Sequence, residues 1–248
     1  MNPGSDYGRD GTIAIGTPQA NPTVEAEMAI LLPPTVLRVT ARLTSAAESA
    51  EDRLRAYLER LAPALESFDT LRPDVFGFAC TGSSYLVDEG REAQIVAAAQ
   101  ARFGYPVITA AAAIAGKLRA VGAARIALVS PYPPALQQAA LDYWTAQGFA
   151  PVAAASLAIA GDDTRGIYAL GSRDARAALG TLGDRSVDAV VLTGTGMPTL
   201  PLIADPPPGL PPIFSSNLAL AEALLAELGL ALPDWRERCQ AATEGFSP

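Results

Sequence analysis

The chain has 248 residues, half of them hydrophobic, enough to bury a sizeable core as one α/β unit or two small lobes. A formal charge of −8 with no Lys/Arg cluster argues against nucleic acid or anionic lipid as a partner, and no apolar run reaches the length of a membrane span. Histidine is absent and the only cysteines are Cys80 and Cys239, which removes Ser-His-Asp and Cys-His catalysis and leaves no set of ligands for a conventional zinc site. A small anion remains an admissible ligand, because local backbone NH groups bind carboxylate whatever the overall charge.

Met1 to Asp10 reads as a peripheral polar tail without an export pattern, so a cytoplasmic protein is expected. Ile13 to Pro18 is a short buried strand, followed by Asn21-Pro22-Thr23-Val24-Glu25-Ala26-Glu27. Asn21 there is either an amide facing a ligand or, with Thr23, a helix cap whose acids support the first turn. Leu31 to Pro34 is expected to wall a pocket, and Arg38 and Arg42 to be solvated charges. Leu54, Leu58, Leu61 and Leu65 form one apolar helical stripe. Asp74 to Gly82 is a buried strand ending at Cys80, with Thr81, Gly82, Ser83 and Ser84 opening a helix and Tyr85 a second wall residue. Pro106 to Thr109 is a strand, Ile126 to Pro131 another, followed by Tyr132. Helices are expected from Ala135 to Gln147, ending at Gly148, and from a Ser172 cap to about Leu182. Asp162 and Asp163 read as loop charges. Asp188 to Gly196 is again a strand, with Met197 to Leu200 a wall segment and Asp205 to Pro212 a rigid loop near the cleft. Pro212 to Ser215 is the last strand, Leu218 to Leu228 a helix ended by Gly229, and the stretch after Pro233 a peripheral tail.

Three pairs of these strands match in order. Ile13 to Pro18 resembles Ile126 to Pro131, Asp74 to Gly82 resembles Asp188 to Gly196, and Pro106 to Thr109 resembles Pro212 to Ser215. The chain therefore reads as a duplication, residues 11–122 and 123–232, between tails 1–10 and 233–248, with the last helix able to pack across onto the first lobe. Alternation of strands and helices implies two Rossmann-like α/β lobes with parallel sheets, related by a pseudo-twofold axis. Ligands of such sheets bind at the carboxyl ends of the strands, so the cleft between the lobes is the expected active site.

Overlaying the repeats puts Cys80 opposite Gly194, a single thiol facing an empty seat. A helix N-terminus lowers a thiol pKa and favours thiolate, which makes Cys80 the candidate nucleophile or proton donor. The plainer reading is a small buried hydrophobe at a strand end. Thr81-Gly82 and Thr195-Gly196 either turn NH groups toward a common anion or only permit a tight turn. Tyr132 is either a carboxylate-binding phenol or a packing aromatic. Cys239, in the tail, has no assigned role.

At Asn21-Pro22-Thr23-Val24-Glu25, Ala79-Cys80-Thr81-Gly82-Ser83-Ser84, Pro131-Tyr132 and Gly196-Met197-Pro198 the chain resembles the aspartate/glutamate racemase superfamily, in its branch of maleate cis-trans isomerases and arylmalonate decarboxylases. The resemblance implies a cofactor-free and metal-free site with thiols on either face of a planar enediolate. It matches Cys80 to the first family cysteine, Asn21 and Tyr132 to carboxylate binders, and Gly194 to the second cysteine, where this sequence departs. An asparagine that isomerases carry in the later loop is not evident near Gly161 to Asp163.

Two-base racemisation needs both thiols, so the departure disfavours it. Isomerisation of a small dicarboxylate such as maleate needs one nucleophile, and decarboxylation of a malonate needs one proton donor. The expectation is a Cys80-dependent, maleate isomerase-like enzyme with Thr81, Gly82, Gly194, Thr195 and Gly196 lining the substrate site, and a decarboxylase as the alternative. Another pathway of the family, or a non-catalytic carboxylate-binding protein, stands behind both. Substrate and oligomeric state stay open, a homo-oligomer included.

Overall fold

The computed structural model describes residues 6–161, 163–182 and 186–244. Asp162 and the outermost parts of both tails lie outside that range. Two four-stranded parallel sheets form the frame. The first contains β1 (Thr12–Pro18), β2 (Leu37–Leu43), β3 (Val75–Phe78) and β4 (Val107–Thr109), in the order β2-β1-β3-β4. The second contains β5 (Arg125–Ser130), β6 (Ala150–Ser156), β7 (Ala189–Leu192) and β8 (Ile213–Ser215), in the order β6-β5-β7-β8. The orders are the same when the repeats are superposed, so the duplication read from three strand pairs extends to the whole topology.

The equivalence reaches single residues. Asp74, just before β3, accepts a hydrogen bond from the Thr12 amide at 2.7 Å, and Asp188, just before β7, accepts from the Ala124 and Arg125 amides at 2.9 and 2.8 Å. Each carboxylate pins the start of a central strand to its neighbour. The amides of Arg125 and Ala124 hold the Asp188 carboxyl below the usual carboxylate range.

The central strands β3 and β7 are buried throughout, as their unbroken apolar runs require. The edge strands β2 and β6 alternate or expose polar residues. Pro151 sits on edge strand β6 beside an irregular register at Ile126/Ala127, where a missing NH is tolerated.

Helices α1 (Thr23–Leu31), α2 (Ala50–Glu59), α3 (Leu61–Glu66), α4 (Thr81–Leu86), α5 (Glu89–Phe103) and α6 (Ala110–Ala120) follow the strands of the first half. The Leu54 to Leu65 stripe is not one helix. Pro63 has no NH for the Glu59 carbonyl, and the chain breaks at Arg60 with φ −108° and ψ 35°. Ser49 caps α2 through the Asp52 amide at 3.0 Å, and Thr109 caps α6 through the Ala112 amide at 3.1 Å.

The second half carries α7 (Pro134–Ala146), α8 (Ser172–Gly180), α9 (Leu200–Ala204), α10 (Ser216–Glu227) and α11 (Arg236–Thr243). Ser172 is the first helical residue of α8 rather than its cap; the Gly171 amide instead donates to the Asp174 carboxylate at 2.7 Å. Helix α10 packs on α1, α6 and β3, and its Leu220 and Leu224 fill the space left by Gly77. The stretch from Pro233 is not peripheral where it is described. Trp235 and Cys239 are buried, and α11 packs on α1 and α9, because the apolar side of this short helix finds a groove between the lobes. The loop from Asp205 to Pro212 lies away from the cleft: the Pro212 carbonyl pairs with Val190 near the start of β7, at the amino end of the sheet.

Candidate active site

The carboxyl ends of β1, β3, β5 and β7 converge on one cavity. Pro18 and Asn21 come from the first, Cys80, Thr81 and Gly82 from the second, Tyr132 from the third, and Gly194, Thr195 and Gly196 from the fourth. Cys80 and the seven residues predicted to line the substrate site (Asn21, Thr81, Gly82, Tyr132, Gly194, Thr195 and Gly196) therefore line the same space. Leu54 of α2 and Thr164, Ile167 and Tyr168, from a 3-10 turn at Thr164–Ala169, complete the wall. Among the described residues no Asp, Glu, Lys or Arg lines this space, and the polar contacts these residues offer a ligand are neutral hydroxyls and amides.

Cys80 occupies the N-cap position of α4, in extended conformation with φ −151° and ψ 96°, which aims its side chain along the free amides of the first turn. The Ser83 hydroxyl donates to its sulfur at 3.2 Å. Burial nevertheless pushes the Cys80 thiol up, against the pull of the Ser83 hydroxyl and the Ser83 and Gly82 amides. This reverses the depressed value that a helix N-terminus alone predicts. Desolvation of the buried thiol outweighs one short turn of helix.

Around the thiol runs a set of buried hydroxyls. Thr81 and Tyr132 share a hydrogen bond of 2.8 Å, Tyr132 lies 3.5 Å from Thr193, and Thr193 bonds the Tyr85 hydroxyl at 2.6 Å. Burial raises both phenols far above their ordinary range, so they act here as donors and not as bases. Tyr85 packs edge-on against the Tyr132 ring at 5.9 Å and supports it from below instead of walling the pocket.

Asn21 takes the capping role and also lines the cavity. Its side-chain oxygen accepts from the Thr23 amide at 2.9 Å and the Val24 amide at 3.4 Å, while its amide donates to the Thr195 hydroxyl at 3.2 Å. Thr195 in turn donates to the Ala79 carbonyl at 2.9 Å, beside Cys80. The Arg42 guanidinium, half-exposed, donates to the Asn21 carbonyl at 2.8 Å and pairs with Glu25, so it braces Asn21 from behind. Arg38 donates to the Met28 carbonyl and takes no part in the cavity.

Leu31 to Pro34 is not a wall of this site: Leu32, Pro33 and Pro34 line a separate groove with Tyr7 and Arg238. Met197 is buried under the turn rather than in the wall. Gly194 has φ +105°, and a Cβ there would stand 3.0 Å from Pro131 Cδ and 3.6 Å from the Tyr132 hydroxyl. The empty seat opposite Cys80 is thus enforced by backbone and by Pro131. At Gly196 the constraint comes from side chains alone, since a Cβ would meet the Tyr168 ring at 2.7 Å.

Sequence reasoning missed the 3-10 turn. Its anchor is Asp163, whose carboxylate pairs with the buried Arg53 at 2.6 Å and with Arg165; the Arg165 guanidinium holds that carboxyl at about 2. The Asp/Gly-rich composition signals a loop, but a lone acid gives no clue that its partner is 110 residues away. Glu27 was missed as well. Burial pushes its carboxyl up against donors from Thr199, Asn217 and Leu200.

Two parallel α/β lobes with strand ends meeting at one buried thiol define a protein of the Asp/Glu racemase-like class. The chain belongs to the arylmalonate decarboxylase family, whose model matches residues 17–231. No curated protein matches it in sequence. Among solved structures it is similar to the Pseudomonas putida S16 maleate isomerase, in a cysteine-to-alanine variant with maleate, at 23% identity and a TM-score of 0.79, covering 91% of this chain and 95% of that one. A Nocardia farcinica maleate cis-trans isomerase, with one cysteine changed to serine and carrying a covalently bound succinylcysteine intermediate, is 26% identical with a TM-score of 0.78, covering 92% and 98%. A liganded arylmalonate decarboxylase, in which one glycine is changed to cysteine and one cysteine to serine, is 21% identical with a TM-score of 0.77, covering 91% and 97%.

Proposed function

We propose that the protein is a cofactor-independent isomerase of a small cis-dicarboxylate of maleate size, with Cys80 as its covalent nucleophile. The observation that carries the reading is a single buried sulfur in a cavity whose polar lining, among the described residues, is neutral and comes from both lobes. The open space at its centre is about 30 Å³. That is room for roughly two waters, so even a four-carbon diacid needs the wall to yield, and an aryl-substituted acid needs it to yield further.

In this reading one carboxylate is received by Asn21 and the Thr195 turn, and the other by Tyr132 and Thr81. The Cys80 thiolate attacks one alkene carbon and forms a C–S bond. The π electrons pass to the adjacent carbon and into its carboxylate as an enediolate, held by hydroxyl and NH donors. The former double bond is now single and rotates. The electrons then return, the double bond re-forms as trans, and the C–S bond breaks to release thiolate. The succinylcysteine of the Nocardia farcinica enzyme supports the step, because it joins a cysteine sulfur to the same four-carbon diacid. With no carboxylate, amine or guanidinium side chain among the described lining residues, the thiol proton leaves to water or to the bound acid.

The test is intact-mass analysis after brief incubation with maleate and acid quenching. An adduct of one maleic acid per chain, absent from Cys80→Ser, is expected; absence of adduct and of fumarate in the unmutated protein contradicts the reading.

A decarboxylase reading is favoured by one feature, the apolar wall of Pro18, Leu54 and Ile167, where a carboxylate would lose its solvation and depart as carbon dioxide. Cys80 would then protonate the enediolate. Loss of phenylmalonate with release of carbon dioxide, dependent on Cys80, distinguishes this reaction from the first. Its product would be the mirror image of that from an enzyme whose thiol stands in the second half.

A further inference from the structure

The segment from Asn21 to Glu27 grips the second-lobe turn at three successive points. Asn21 holds the Thr195 hydroxyl at 3.2 Å, and the Thr23 hydroxyl donates to the Gly196 carbonyl at 2.8 Å. Both of those partners line the cavity. Glu27 does not line it. Its carboxylate accepts from the Thr199 amide at 2.6 Å, the Leu200 amide at 3.1 Å, the Thr199 hydroxyl at 3.2 Å and the Asn217 side-chain amide at 2.7 Å.

A carboxylate buried to this degree is costly unless donors saturate it, and an isolated structural tie between two lobes needs no charge. The donors on both Glu27 oxygens oppose the protonation that burial favours, and the arrangement at Asn217 says what this acceptor-only face is for. The same Asn217 nitrogen donates to Glu27 and to the Thr195 carbonyl at 3.0 Å, while the Asn217 oxygen is buried with no partner. Leaving an amide oxygen unpaired carries a penalty, so something must hold the amide in that orientation. A carboxylate does so, because it presents only acceptors.

We propose that Glu27 is a positioning residue which, through Asn217, fixes the Thr195–Gly196 turn against Cys80 and so sets affinity for the dicarboxylate without touching it; this rests on the dicarboxylate reading of the site. Glutamine is nearly isosteric but places an NH₂ against donors. Asn217 then gains by flipping its oxygen toward residue 27, and the flip withdraws the donor from the Thr195 carbonyl. The turn is released while the rest of the core stays packed.

Hydrogen–deuterium exchange and maleate kinetics on the full chain test this with Glu27→Gln and with the charge-swapped Glu27→Gln/Asn217→Asp. Expected in Glu27→Gln are faster exchange confined to residues 193–204 and a KM raised about tenfold, the weight of about one hydrogen bond, with kcat within about threefold of the unmutated protein. The swapped pair restores the 27–217 bond and the melting midpoint but not KM, since aspartate cannot donate to the Thr195 carbonyl. Unchanged exchange over 193–204, a kcat that falls with KM unaffected, or a swapped pair that restores KM would each overturn the proposal. If the unmutated protein turns over no maleate, the dicarboxylate reading fails by itself, and the exchange result alone decides whether Glu27 positions the turn.

Discussion

The turns after β3 and β7 start from equivalent strand ends and diverge within two residues. After β3, Cys80 caps α4 directly and its sulfur faces the cavity. After β7, the chain passes through Gly194 with φ +105°, turns at Thr195 and Gly196, and resumes a helix only at Leu200. One half supplies the thiol proposed as nucleophile and the other a bed of hydroxyls and amides, with Pro131 closing the place of a second thiol. The difference teaches that the one-thiol character of the site is built into the backbone, and it is why the proposed reaction is one that a single sulfur can carry.

Removing the sulfur breaks the comparison outright. Cys80→Ser is expected to lower kcat by about a thousandfold or more, since the covalent step is lost while the binding groups stay; steady-state kinetics check it. Filling the empty seat is expected to fail. Gly194→Cys imposes positive φ on a residue with a Cβ and drives it toward Pro131, so a loss of about 1–3 kcal/mol in chemical denaturation is expected, with no gain of racemase activity. Unchanged stability would mean the turn relaxes freely.

Asn21→Ala cuts the tie to Thr195 and uncovers the Thr23 amide. A KM raised about tenfold and a stability loss of about 1 kcal/mol are expected. The pH profile sharpens the contrast between the two turns. Because burial raises the Cys80 thiol above its usual 9.0, kcat/KM is expected to keep rising through pH 9, where a helix-activated thiolate would have levelled off well below it.

The smallest effect concerns the wall. The Asp163 carboxyl is depressed in the folded protein to about 2 from 3.8. Its contribution is therefore complete above the unfolded value and lost as pH falls through the folded one. Exchange in residues 163–170 is expected to speed up over that window and in Asp163→Asn at neutral pH.

The central strands were legible because buried parallel strands are continuous apolar runs bounded by Gly and Pro, and the repeat made each one visible twice. The edge strands were not. Leu37 to Leu43 alternates cleanly but carries Arg38 and Arg42, and Ala150 to Ser156 is alanine-rich with Pro151, poor in the β-branched residues that mark strands. The core of the site was legible for a topological reason, since strand ends must converge in such a fold. Its outer wall and its thiol acidity were not. Thr164 to Tyr168 is placed by an Asp163–Arg53 pair that no local pattern reveals, and the balance of desolvation against helix amides at Cys80 depends on a burial that only packing creates.

The central claim is that one sulfur carries the chemistry. Proton NMR of the protein and of Cys80→Ser, each incubated with maleate in deuterated buffer, tests it most directly. Fumarate formed by the unmutated protein and not by the variant is the expected result; fumarate formed equally by both, or by neither, would contradict the account.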